Sequence, residues 1–227
     1  MSKKLSKEEM EQDLLIEYSS RFMHFYQNNK AAIISGSVGL VAVVGLIIGY
    51  FIYSAQQEEE AQNLMGIAER YYSEGDLEKA LYGDEEDFSV GFSQIAKNYP
   101  NTKPGNLANY YAGVVEFELG NYDSALNYLN NFNPPDGILG VAPVTFHAVL
   151  LMELERFEEA AGKFEEAANR DKNEVTTPEN YLRAAEAYLD AENNDKAEEM
   201  ISVITEEYQT SQYATEALRL RGFIASK

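Results

Sequence analysis

The sequence predicts an all-α protein: an N-terminal single transmembrane helix, then an α-solenoid of about four helical hairpins plus a closing helix. Three observations carry that expectation. Residues 31–53, AAIISGSVGLVAVVGLIIGYFIY, run for 23 positions without a charged side chain. Downstream, a small residue followed twelve positions later by Ala recurs four times. Cys is absent, so no disulfide framework holds the chain beyond the span, and helix packing must do so.

The first 30 residues read as a cytoplasmic tail. Ser6-Lys7-Glu8-Glu9 has capping-box spacing and opens a helix-compatible segment that reaches about Asn28. Leu14, Tyr18 and Phe22 fall one turn apart, and Phe25 and Tyr26 crowd the end nearest the apolar run. Two readings stand here: an amphipathic helix lying at the membrane interface, or a simple aromatic belt behind a loose tail.

Residues 31–53 are long enough to span, because a helix rises about 1.5 Å per residue and a hydrocarbon core of about 30 Å needs roughly 20 apolar residues. A cleaved signal peptide is a poor fit. It would begin near residue 1 and end in small residues, whereas here a 30-residue polar tail comes first and a bulky Tyr53 lies two residues before Ala55. A buried helix of a soluble protein would ordinarily be shorter and carry a polar stripe. Arg21 and Lys30 precede the run closely, with Lys3, Lys4 and Lys7 further back, while the first positive charge after it is Arg70. The positive-inside rule therefore puts the N-terminus in the cytoplasm and the C-terminal domain across the membrane. Within the run, Ser35, Gly39, Ala42, Gly45 and Gly49 share one face and form a candidate packing surface for a partner helix. The same glycines are also simply common in transmembrane helices.

Residues 54–62 form a charged connector that continues the helix into solvent, and residues 63–227 hold the repeats. The turns read Gly75-Asp76-Leu77, Gly120-Asn121-Tyr122, Glu155-Arg156-Phe157 and Glu192-Asn193-Asn194, ahead of Ala80, Ala125, Ala160 and Ala197. Ala68, Gly113, Ala148 and Ala185 stand twelve residues before those alanines. Leu129, Phe164 and Ile201 stand four after three of them, and Phe132, Ala167 and Ile204 seven after. Small residues belong where two helix backbones approach most closely, and a large residue one turn on fills the adjacent gap. The first unit carries an insertion, residues 82–89, before its second helix resumes as FSQIAKNYPNT. Its Asp84 to Asp87 run lacks the alternating ligands and closing Glu of an EF-hand loop and reads as a solvated insertion. Residues 210–226 read as the closing helix.

The formal net charge of −20 falls entirely after the span, since residues 1–30 hold five basic and five acidic side chains. Such a surface repels phosphate backbones, so nucleic acid is not an expected partner. It would favour basic or unfolded cationic segments, or it simply keeps a helical domain soluble. His24 and His147 have no partner at metal-ligand spacing, and no nucleophile elbow, phosphate loop or His-Glu-x-x-His motif is present. No metal, no cofactor and no enzymatic activity is expected. Large residues on first helices that the packing pattern does not claim, Tyr110, Phe117, Met152 and Leu189, are candidates for a partner groove. Ordinary core is their other reading.

The pattern resembles the tetratricopeptide repeat, most closely in GNYDSAL at 120–126 with Gly113 upstream and in RFEEAAGKFEEAA at 156–168. The last turn departs from it, with Asn194 where an aromatic is usual. The fold implied is a tetratricopeptide-like α-solenoid over residues 60–207. Span, orientation and acidic repeats together, with the YPNT stretch at 99–102, resemble the YfgM family of single-span bacterial inner-membrane proteins, although the N-terminal tail here is longer. That resemblance implies a periplasmic C-terminal domain and association with Sec translocon subunits. It also implies work beside a PpiD-like periplasmic chaperone on emerging secretory polypeptides. The rival readings are a structural scaffold of another envelope assembly and a membrane-tethered regulator signalling through the tail.

Overall fold

The computed structural model describes residues 7–226 and, within them, contains helices and no strand. The described chain divides into two compact units, one ending at Gln56 and one beginning at Gln57. Ser6 of the expected capping box lies outside the described residues, as does the side chain of Leu14.

In the first unit, α1 (Lys7–Asn28) is followed after Asn29 by the start of α2 (Lys30–Glu74). The junction is a brief interruption: the Asn29 N–H donates to Phe25 O at 3.0 Å and Ile33 N–H to Asn29 O at 2.9 Å, so the hydrogen-bond ladder barely breaks. Tyr18, Phe22 and Phe25 are exposed along α1. Within the described residues α2 is the one helix long and apolar enough to cross a membrane, and none of its apolar window is buried. Ser35, Gly39, Ala42, Gly45 and Gly49 are all exposed, and a Cβ built on any of the three glycines meets nothing within 4 Å. Among the described residues none fills that face.

The second unit is built from one local device used four times. The last stretch of α2 turns into α3 (Leu77–Tyr82), α5 (Lys103–Glu118) into α6 (Tyr122–Asn131), α7 (Val141–Glu153) into α8 (Phe157–Arg170), and α9 (Thr176–Asp190) into α10 (Asn194–Glu207). At each turn one residue takes positive φ: Gly75 at 82°, Gly120 at 80°, Glu155 at 55° and Glu192 at 59°. Its N–H bonds back three residues and the next N–H bonds back five, all between 2.8 and 3.1 Å, which satisfies carbonyls that a helix end would otherwise orphan. That next residue (Asp76, Asn121, Arg156 or Asn193) is already the N-cap of the following helix. Since nothing lies within 4 Å of a Cβ at Gly120, the cost of a side chain there is purely conformational. Gly120→Ala should therefore destabilise the chain by about 1 kcal/mol, the cost of the left-handed region for an L-residue. Glu155→Ala should change it by less than about half of that, since its wild-type residue already bears the cost. Urea unfolding of the detergent-solubilised chain, followed by far-UV circular dichroism, measures both.

The small residues meet as the spacing requires. Ala68, Ala148 and Ala185 on first helices and Ala80, Ala125, Ala160 and Ala197 on second helices are fully buried. At the second crossing Gly113 leaves little room for a side chain: a Cβ on it would lie 2.9 Å from Leu129 Cδ2 and 3.3 Å from the Ala125 carbonyl oxygen, so Leu129 would have to shift. Phe164, Ala167, Ile201 and Ile204 are buried beside the later crossings, while Phe132, at the corresponding place in the second unit, is half-buried. The reason is local: α6 ends at Asn131, and Phe132 already has extended backbone, φ −83° and ψ 132°. The linker it opens runs to a 3₁₀ turn (Ile138–Gly140) and is fastened from α8, where Arg170 donates to Pro134 O at 3.0 Å and Pro135 O at 3.1 Å.

The insertion splits the first unit's second helix into α3 and α4 (Phe92–Asn98). Gly83 and Gly91 let its two ends approach: a Cβ on Gly91 would lie 2.5 Å from Gly83 N. Lys79 clamps the loop through Asp84 at 2.6 Å. Beneath it Phe92, Leu81, Ile95, Met65 and Val115 form a core with no exposed surface beyond 1 %, and Phe92 stacks on Tyr111 at 5.0 Å.

The closing helix, α11 (Ala214–Ala225), starts four residues later than the sequence suggests. Residues 208–211 instead repeat the YPNT turn. Tyr99 and Tyr208 end α4 and α10 with nearly the same backbone, φ −123° in both. Each N–H donates to an Ile four residues back, and the N–H of Thr102 or Ser211 returns to the Tyr carbonyl.

Candidate functional site

The first helices of the later units, α7 and α9, leave an apolar cleft of about 510 Å³ between them. From α7 come Thr145, Phe146 and Val149; from α9 come Glu179, Asn180 and Arg183. A second hollow of about 170 Å³, lined by Val149, Met152, Phe164, Arg183 and Glu186, shares two of those residues and so continues the same groove. The polar groups at its floor are pinned. Thr145 donates to Asn180 Oδ1 at 2.8 Å, and the Asn180 side-chain NH₂ donates to Thr176 O at 2.8 Å, so the buried amide is satisfied. Arg183 pairs with Glu179 one turn away at 3.0 Å, which holds the guanidinium along the groove wall.

Phe146 organises the approach to the cleft from α5. Tyr110 and Phe117, two turns apart on α5, both contact it edge-on, with ring centroids 6.1 and 5.2 Å away. Tyr110 also meets Phe132, and Phe117 meets Tyr122. Of the four side chains singled out in the sequence, Met152 lines the second hollow, and Tyr110 and Phe117 buttress Phe146. Leu189 packs, half-buried, on the same core and lines neither hollow. Phe146, Val149 and Arg183 were missed. The α7 segment VAPVTFHAVLLME is apolar nearly all round, so its groove-facing residues do not stand out from its core residues, and Arg183 reads as an ordinary solvent-face charge.

Electrostatically the groove is mixed. Glu186 is exposed at its surface, yet desolvation by the hollow raises its carboxyl above the usual range, with Arg183 opposing. Among the described residues no group of three or more His, Cys, Asp or Glu side chains could hold a metal ion. Outside the groove, on the other side of α7, His147 lines a polar hollow of about 290 Å³ with Lys163, Glu166 and Arg170. Burial, reinforced by Lys163, brings its pKa down to about 4.

That depression has a definite pH signature. The folded-state value lies below an unfolded value of about 6.5, so the unfolded chain binds the proton more tightly and acid favours unfolding. The contribution is complete above about pH 6.5 and is lost as the pH falls towards about 4. The whole shift would correspond to about 3 kcal/mol; because the ring is only half-buried, about 1 to 2 kcal/mol is expected after screening. His147→Gln should flatten by that amount the fall in unfolding free energy between pH 7 and 4.5, read from urea titrations.

An array of helix pairs with small residues at each crossing, and a cleft along its first helices, is a helical-repeat scaffold. The family model of the tetratricopeptide repeat matches residues 151–219, from the end of α7 into α11. Over those residues the chain is similar to tetratricopeptide repeats, a class that generally mediates protein–protein interaction. No curated protein matches the chain.

Proposed function

We propose that the protein is a single-pass, non-enzymatic adaptor of the bacterial inner membrane. Its repeat domain is periplasmic and binds polypeptide in the α7/α9 groove. The observation that carries this is an apolar cleft with satisfied polar groups, set in an acidic array, on a chain of net charge −20 that also has one candidate membrane span. Apolar walls suit unfolded or amphipathic segments, and the surrounding carboxylates suit segments that also carry Lys or Arg. Within that reading, the resemblance of the whole chain to the YfgM family points to the Sec translocon and a PpiD-type chaperone as neighbours, and to emerging secretory chains as clients. The exposed face from Ser35 to Gly49 is then the docking surface for translocon or chaperone helices.

A photo-crosslinking residue at Val149, on the groove floor, tests the client assignment, and one at Tyr110 tests the approach. Adducts with channel subunits, the chaperone or nascent secretory chains are expected. Adducts confined to components of a secretion or cell-wall machine would replace this reading with that of a structural scaffold. Deleting residues 1–28 should leave the adducts intact, whereas a regulator that signals inward would lose its function.

A further inference from the structure

Helix α1 carries two rows of side chains on opposite sides. Glu17, Arg21, His24 and Asn28 stand three or four residues apart and bond in pairs: Arg21 meets Glu17 at 2.6 Å, and the Asn28 amide meets His24 Nδ1 at 3.0 Å. Half a turn round the axis, Leu15, Tyr18, Phe22 and Tyr26 form an apolar row, also three or four apart, flanked by Met23 and Phe25. Leu15, Tyr18 and Phe22 are 67 to 69 % exposed, so among the described residues none covers them.

Connectivity says what lies beside that row. Only Asn29 separates α1 from α2, whose apolar run begins at residue 31. Tyr26 is therefore about 8 Å of helix rise from the start of the run, and the headgroup region on each side of a hydrocarbon core is about 5 to 8 Å deep. Where residues 31–53 span the bilayer, the near end of the apolar row sits among headgroups whatever the rest of the tail does. An upright α1 would carry the row out into water as far as Leu15, about 24 Å from the run, whereas a flat one immerses all of it. The junction offers a place to turn. Phe25 O accepts both the Asn29 N–H at 3.0 Å and the Asn29 side-chain amide at 2.9 Å, so Asn29 closes the last turn of α1, and α2 takes up the ladder with Ile33 N–H on Asn29 O.

We infer that α1 turns at Asn29 and lies along the bilayer surface on its own side of the membrane, with Leu15, Tyr18, Phe22 and Tyr26 immersed and Glu17, Arg21 and His24 facing water. The inference rests on the membrane-anchored reading above and adds to it what the tail binds, which is lipid. Apolar area drives the contact: Glu17 and Arg21 cancel, so a zwitterionic bilayer is enough. A tail held flat also fixes the rotation of the span, and with it the direction in which the Ser35 to Gly49 face points.

The full chain has no Cys, so single spin labels can be placed on it one at a time. Leu15→Cys, Tyr18→Cys and Phe22→Cys report the apolar row, Glu17→Cys, Ser20→Cys and His24→Cys the opposite side, and Val44→Cys the span; all these positions are exposed, so the variants fold. Each labelled chain is placed in phosphatidylcholine nanodiscs at one copy per disc. Accessibility to oxygen, which concentrates in lipid, is then compared with accessibility to a water-soluble nickel chelate. The oxygen-to-nickel ratio should be highest at residue 44, and at residues 15, 18 and 22 at least about threefold above that at 17, 20 and 24. With residue 44 immersed, equal and high nickel access at all six tail positions overturns the inference alone, since the tail then stands in water. An apolar row closed to both reagents overturns it as well, because that marks contact with protein. Nickel access at residue 44 itself would remove the membrane-anchored reading, and this inference with it.

Discussion

Replacing Gly105 with alanine is expected to destabilise the repeat domain by about 3 kcal/mol, the upper part of the usual range for overpacking. For a domain of this size that lowers the melting temperature by about 6 to 12 °C. Gly105 sits in the first turn of α5, where Thr102 caps the helix: Thr102 Oγ1 accepts from Gly105 N–H at 3.0 Å and donates to Tyr99 O at 2.8 Å. The Tyr99 carbonyl is thereby held over the helix start, and a Cβ on residue 105 would lie 1.8 Å from its oxygen. The obstacle is backbone, so no rotamer relieves it. The related turn at 208–211 tolerates Ala214 because α11 begins only there, whereas α5 begins at Lys103, directly after its cap. Differential scanning calorimetry of the full chain in detergent is the measurement.

The second large effect is a contrast between two helical glycines, Gly113 at the second crossing and Gly222 on α11, 37 residues after Ala185. Gly113→Leu should cost about 3 kcal/mol or more, because the new side chain must displace Leu129 and press on the Ala125 carbonyl at a crossing already closed. Gly222→Leu should cost nothing and gain up to about 1 kcal/mol from helix propensity, as nothing lies near it. Urea midpoints of the two variants check both signs. Equal losses would mean that Gly222 is packed as closely as Gly113, and equal indifference that the hairpins are not closed as described.

Those two glycines also mark what could be read from the sequence and what could not. The crossing positions were legible because close approach demands Ala or Gly whatever surrounds it, and a fixed twelve-residue spacing survives in one sequence. The four turns were legible for a related reason: each pairs a residue that ends a helix with one that starts the next. That Glu155 and Glu192 adopt the left-handed region could not be read, since glutamate carries no sign of it and tertiary packing imposes the turn. The insertion announced itself through Gly83 and its acids. The groove did not, because a cleft is a property of how α7 and α9 pack side by side, and that leaves no periodicity in either. Phe146 illustrates this: it lies in an apolar run that predicts burial, yet its ring is shared between the α5 aromatics and the open cleft. The reuse of the Tyr99 turn at Tyr208 was hidden by substitution, Pro-Asn-Thr in one and Gln-Thr-Ser in the other. The Tyr, its backbone conformation and the hydrogen bonds are common to both.

The proposed function requires that residues 31–53 tether the repeat array on the far side of the inner membrane from the tail. Sealed inverted membrane vesicles, whose outer surface is the cytoplasmic face, test that most directly by protease digestion. The N-terminal tail should be trimmed while the span and residues 54–227 survive as one protected fragment, which disappears only when detergent opens the vesicles. Digestion of the C-terminal domain in intact vesicles, with the tail spared, would place the array in the cytoplasm and contradict the account.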